Sequence, residues 1–90
     1  MVLIYVHVSW LEIIGVEVAE LLALTKQTSK DHVGILATSA EIKFPYVEAK
    51  LLLKEKQGRE RFMNSSIPTT LVSAIFDVPQ TEAKKLGFQV

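Results

Sequence analysis

The stretch LVSAIFDVPQTEAKKLG, residues 71–87, decides the fold. It begins as an apolar run and ends as a short charged segment, with Asp77, Val78 and Pro79 between the halves. Proline has no amide proton and disfavours helical geometry in the residue before it, so no regular helix passes through this point comfortably. Two readings compete. Two helices flank a tight turn, or residues 69–78 form a β-strand, as their Thr, Val, Ile and Phe allow, and an ordinary capped helix follows.

The first reading is a helix–turn–helix, and its requirements are steric. The first helix supplies two apolar contacts four apart, with a small residue where the second helix crosses. The turn tolerates a left-handed backbone, and two further apolar residues seat the second helix. Val72 and Phe76 serve as the anchors, Ser73 as the crossing residue and Asp77 as the turn. Val78 closes the turn, and Ala83 and Leu86 seat the second helix. Pro68 and Gly87 stand where the caps of the pair belong. Gln80, Thr81, Lys84 and Lys85 then face outwards. Gln pairs with adenine, Lys with guanine or phosphate, and Thr with either.

Working outwards, the 90 residues make one domain, residues 1–90. Apolar types make up 49%, which excludes intrinsic disorder and favours burial or self-association. No cysteine occurs, so disulfide frameworks and thiolate zinc sites are excluded. Ten basic residues balance ten acidic ones, so no global field draws the chain towards nucleic acid. The second half is mildly basic. Residues 46–90 carry seven Lys and Arg against five acids, and residues 1–45 carry three against five.

The first twenty-four residues are as apolar as a membrane span, but Glu12, Glu17 and Glu20 interrupt them and no basic segment precedes them. The expectation is a soluble, cytoplasmic protein. Residues 2–8 read as a strand. Ser9 with Glu12 reads as a capping box opening a helix over residues 10–26. The first thirty residues are too apolar for the core of a 90-residue chain to hide alone, which predicts a homodimer.

TSKDHVGILATSAEIKF, residues 28–44, fits helix and strand alike, and helix is favoured. PYVEAKLLLKEKQG, residues 45–58, reads as a helix, with Pro45 at its first position and Gly58 as its stop. RERFMNSS, residues 59–66, reads as a helical continuation or as one strand of a hairpin turning at Asn64-Ser65-Ser66. Arg59 and Arg61, beside Lys54 and Lys56, form the densest basic cluster. They read as a solvated helix end or as phosphate contacts beside the recognition helix.

Residues 60–88 resemble the helical C-terminal part of the ImmA/IrrE-type zinc peptidases. Phe62, Ile67-Pro68, Phe76-Asp77-Val78 and Ala83 with Leu86-Gly87 carry the resemblance. The spacing after Pro68 is shorter than in that family, and its His-Glu-x-x-His zinc helix is absent. Only His7 and His32 occur, and neither is followed by Glu. The resemblance therefore implies helical packing without the metal-activated water of a peptidase.

No other catalytic pattern emerges. The four glycines are isolated, so no phosphate loop exists, and neither histidine has a recognisable triad context. His7 reads as a satisfied structural histidine. Neither an enzyme, a cofactor, a metal nor a small-molecule substrate is expected.

The expected fold is α+β and helix-rich: an N-terminal strand plus helices ending in a helix–turn–helix. The expected function is a small, dimeric regulator of transcription binding double-stranded DNA. Gln80, Thr81, Lys84 and Lys85 would enter the major groove, with Arg59 and Arg61 on the backbone. The alternative is a non-enzymatic protein–protein interaction module of small α/β fold, in β-α-β-α-β-α order. Its sheet would use residues 2–8, 32–42 and 69–78.

Overall fold

The computed structural model describes residues 1–24, 29–54 and 57–79. Five strands form one antiparallel sheet: β1 (Val2–His7), β2 (His32–Lys43), β3 (Tyr46–Leu52), β4 (Phe62–Pro68) and β5 (Val72–Asp77). Their order across the sheet is β4-β3-β2-β1-β5. Two short helices, α1 (Ser9–Ile14) and α2 (Val16–Ala19), follow β1, and a 3-10 turn (Thr69–Leu71) joins β4 to β5. The fold is mostly β, which corrects the helix-rich expectation.

β4 and β5 are opposite edges of the sheet, yet only Thr69–Leu71 separates them in sequence. A flat five-stranded sheet is about 19 Å wide, while four peptide steps reach at most about 14 Å. The sheet therefore curls, and its concave face holds the main core. Ile4, Val6, Val33, Ile35, Ala37, Ala49, Leu51 and Ile67 line that core from the strands, and α1 lays Trp10 across it. A smaller cluster of Leu3, Leu36, Leu52 and Ala23 covers part of the convex face.

The helix expected over residues 10–26 is broken. Gly15 sits at φ 92° and ψ 151°, a backbone region open essentially to glycine alone, and it separates α1 from α2. Ser9 lies inside α1 and its hydroxyl goes to His7, so it makes no capping box. Beyond α2 the chain is drawn between β2 and β3 where these diverge. The Ala23 amide donates to the Leu52 carbonyl over 3.0 Å, and the Leu36 amide to the Ala23 carbonyl over 3.1 Å. Leu22 and Ala23 are fully buried there. Their backbone groups, stranded in a dry interior, find partners on both strands.

The helix favoured for residues 28–44 and the one expected for 45–58 are instead mainly β2 and β3, paired as a hairpin from Lys43 with Tyr46 inward. Glu, Ala, Lys and Leu favour helix in isolation. However, Val47, Ala49 and Leu51 also alternate, and the sheet buries all three while Glu48 and Lys50 point out. Pairing on both sides outweighs propensity. β2 carries a bulge between Ala37 and Ser39 that reverses which residues face inward beyond it. Residues 59–66 do not turn at Asn64. Phe62–Pro68 runs straight through as β4, in register with β3.

The helix–turn–helix is not formed. Residues 72–77 are extended and laddered to β1, with Ile75 opposite Ile4 and Phe76 opposite Leu3. Val72 packs against the core, while the exposed Phe76 ring meets Tyr5 edge-on at 5.9 Å on the convex face. A helix places residues four apart on one stripe; here the extended chain and a bulge at Ser73 leave them on opposite faces. Pro68 ends β4 instead of opening a helix. Of the sheet in the alternative reading, strands near residues 2–8, 32–42 and 69–78 are present and adjacent, as β1, β2 and β5. The helix between the second and third is not; β3 and β4 stand in its place. The helical packing implied by the peptidase resemblance is likewise absent from residues 60–79, which form β4, the 3-10 turn and β5.

Candidate functional site: an open sheet edge beside an apolar groove

Among the described residues, β5 pairs with β1 on one side and with no strand on the other. The direction of its backbone groups follows from one hydrogen bond. The Val78 amide donates to the Met1 carbonyl over 2.9 Å, so Met1 and Val78 form a hydrogen-bonded pair. In an antiparallel ladder such pairs recur at every second residue, which assigns Phe76 and Ala74 to β1. Ile75 and Asp77 therefore turn their N–H and C=O groups to the free edge. The rule is checked on the far side of β1, where the pairing alternates likewise and leaves the Leu36 amide free to reach Ala23.

Natural edges are usually blunted by lysine, proline or a bulge. β5 has a bulge at Ser73, and residues 74–77 beyond it keep one regular register with β1. Asp77 is its single charge, and Pro79 stands next in the outward-facing row without an N–H to offer. Beside this edge runs a groove of about 360 Å³ lined by Ile42, Val47, Thr69, Val72, Ser73, Ala74 and Ile75. One wall is β5; the other is the end of the β2–β3 hairpin, which extends past the start of β1. Ile42 is 68% exposed and Phe44 is 85% exposed at this end, and Tyr46 is exposed as well. Apolar side chains are thus clustered around an unpaired backbone.

The other edge differs. The Leu53 amide donates to the Arg61 carbonyl over 2.9 Å, so β4 turns Phe62, Asn64 and Ser66 outward by the same alternation. The side chains around that edge are mainly polar. The Ser66 hydroxyl lies 2.9 and 2.8 Å from the two Glu48 carboxylate oxygens and donates to them, and Lys50 Nζ stands 4.9 Å from the Phe62 ring centre. A second, open hollow of about 490 Å³ lies on this convex face between Ser39, Glu41, Glu48, Lys50 and Asn64. Glu41 and Glu48 are directly opposed across the strands, with Lys43 at 3.7 Å from Glu41.

Of the residues expected at a DNA interface, Gln80, Thr81, Lys84 and Lys85 lie outside the described residues. Arg59 and Arg61 sit in the β3–β4 connection, at the opposite edge of the sheet from β5. Arg61 is engaged locally: its Nη2 donates to the Lys54 carbonyl over 3.1 Å, and its buried Nε has no hydrogen-bond partner. Among the described residues no helix flanks Arg59 and Arg61.

His7 is held by its neighbour. Its Nδ1 accepts the Ser9 amide at 3.1 Å and lies 2.8 Å from the Ser9 hydroxyl. His32 opens β2 directly opposite His7, with the rings edge-to-face at 5.4 Å. Among the described residues no group of three or more His, Cys, Asp or Glu side chains is placed to hold a metal ion. Nor is any helix there long and apolar enough to cross a membrane.

The β5 edge escaped the sequence reading because openness belongs to strand order. One signal existed in Ile42-Lys43-Phe44-Pro45-Tyr46-Val47, where large apolar residues crowd a proline turn. No family model, no curated protein and no solved structure matches this chain.

Proposed function

We propose that this chain is a non-enzymatic protein–protein interaction module, working in the cytoplasm, that takes up an extended segment of a partner along β5. The observation that carries the reading is the row of backbone groups at Ile75 and Asp77, unpaired among the described residues, beside the apolar groove. In strand addition, main-chain hydrogen bonds supply affinity, and pockets for alternate side chains supply specificity. A segment laid along β5 pairs with Ile75 and Asp77 and drops every second side chain towards Val72, Ile75 and Ile42. Balanced charge and the absence of cysteine suit a module of this kind inside the cell. The DNA-regulator reading relied on a turn between two helices at Asp77, and it loses that geometric support.

The test is selection of displayed peptides against the immobilised chain, followed by amide chemical shifts with a selected peptide. The expected binders are extended sequences with alternating apolar residues, and their largest perturbations fall on Ile75, Asp77 and Ile42. The double substitution Ala74→Lys/Phe76→Lys then weakens binding by at least about an order of magnitude, because it charges the edge. Binders that perturb only the Glu48–Lys50 face, or that ignore the double substitution, refute the proposal.

A further inference from the structure

We infer that His7 and His32 form a two-histidine chelate for a divalent metal ion of the class imidazole prefers, Zn²⁺ by its geometry. Far apart in sequence, the two are brought directly opposite each other by the β1–β2 register. The Val8 amide donates to the Asp31 carbonyl over 2.8 Å, so that neighbouring pair is hydrogen-bonded. By alternation His7 and His32 are a non-hydrogen-bonded pair. Such partners lie about 4.5 Å apart between Cα atoms, and their side chains approach most closely. Both extend from the convex face, in line with Leu3 and Tyr5 on β1 and Leu36 on β2, and both are half-buried. The pair stands at the end of β1 away from Asp77, and nothing in it depends on the β5 edge.

Two imidazoles on one tetrahedral ion, with metal–nitrogen bonds of about 2.1 Å, have ring centres about 5 Å apart. The His7 and His32 ring centres are 5.4 Å apart, so the backbone already holds them near that separation. Their planes cross at 83°, and turning His32 about χ2 aims one of its nitrogens at the ion. That rotation leaves the ring centre in place, because the Cβ–Cγ axis runs through it. The His32 ring gives up no hydrogen bond among the described residues when it turns. Two protein ligands leave the other positions of the ion to water, so the site is open and its metal exchanges.

Ser9 decides how His7 takes part. Its amide donates to Nδ1 over 3.1 Å, which places the proton of the neutral ring on Nε2. Ligation by Nε2 needs that proton on Nδ1, where a ligating histidine ordinarily donates to an outer partner. The Ser9 hydroxyl, 2.8 Å from Nδ1, is placed to accept it. On binding, the neutral ring moves its proton from Nε2 to Nδ1, releases none, and the Ser9 amide gives up its contact. Ser9 is thus a positioning residue, and its amide reports the change. Cu²⁺ binds nitrogen ligands more tightly than Zn²⁺ and serves as a second probe of the same pair.

The experiment uses the full, untagged chain with the chloride salts of Zn²⁺ and Cu²⁺. Calorimetry is expected to show one Zn²⁺ per chain, and the His7 and His32 ring resonances shift together with the Ser9 amide. His7→Asn, which keeps an acceptor for that amide, and His32→Gln each weaken binding by at least about tenfold, because a chelate becomes a single ligand. Trp10 fluorescence checks that each variant is folded. If His7→Asn does not fold, His32→Gln and the resonances of the unaltered chain decide the matter. Ser9→Ala weakens binding by about tenfold, and Ser9→Thr, which keeps the hydroxyl, restores it. The paramagnetic resonance spectrum of the Cu²⁺ form shows coupling to both imidazoles. No binding at millimolar Zn²⁺, an affinity unchanged by His32→Gln, or coupling to a single imidazole each overturn the inference. So do one ion shared by two chains and shifts centred on Glu41 and Glu48 instead of the histidines. An affinity unchanged in Ser9→Ala overturns the part given to Ser9.

Discussion

Ile35 and Ile42 lie in the same strand, seven residues apart, and a pair of truncations there separates the strand from the helix favoured by sequence. On a helix, residues seven apart share a stripe and are buried alike. In the sheet they differ. Ile35 is fully buried in the main cluster, whereas Ile42 lies beyond the start of β1 and is 68% exposed. Ile35→Ala removes three carbon groups worth about 0.8 kcal/mol each in transfer, roughly 2.4 kcal/mol together. The cavity left behind raises the loss to about 3–4 kcal/mol, within the usual range for such truncations. Ile42→Ala forfeits only its covered third, under about 0.8 kcal/mol, and leaves no cavity.

Trp10 reports the difference. It is the only tryptophan, is 2% exposed, and belongs to the same cluster as Ile35. In urea titrations followed by its fluorescence, with m of about 1 kcal/mol/M for a chain of this size, the midpoint falls by about 3 M for Ile35→Ala. For Ile42→Ala it falls by less than about 1 M. Submicromolar protein keeps association out of the measurement. If Ile35→Ala leaves too little native protein, Ile35→Val keeps the comparison alive at about 1 kcal/mol. Equal midpoint shifts for alanine at the two positions would refute the strand and its overhang together.

Gly15→Ala forces a side chain into φ 92°, ψ 151°, so a loss of about 1–3 kcal/mol is expected although nothing lies within contact of the new methyl. A thermal melt lowered by at least about 4 °C checks it. Leu22→Ala empties the fully buried position between β2 and β3 and is expected to cost about 2–5 kcal/mol. Hydrogen exchange adds the local signature: the amides of Ala23 and Leu36, which stitch the gap, open before those of β1. Lys50→Ala removes the ammonium beside Phe62 on an exposed face and is expected to change stability by no more than about 1 kcal/mol in chemical denaturation. A larger loss there would mean that the convex face carries more of the fold than its exposure implies.

Sequence alone determined the chemical character of this protein and the start of its fold. The run Val-Leu-Ile-Tyr-Val-His-Val has no reading but a strand, and β1 is there. The absence of cysteine and the scatter of histidine and glycine likewise removed thiolate, phosphate-loop and zinc-helix chemistry without reference to any coordinates. The next segments were decided by tertiary structure. In residues 46–52 an alternating pattern overlies good helix formers, and only neighbours on both sides, β2 and β4, show which period is used. In residues 72–77 the anchor spacing of a helix–turn–helix coincides with a strand whose bulge shifts its faces. Local propensity differs between such readings by tenths of a kcal/mol per residue, and burial against a partner strand outweighs that several-fold. The open edge is more remote still from sequence. It exists because, among the described residues, β5 pairs with β1 alone, a property of strand order that no stretch of residues encodes by itself.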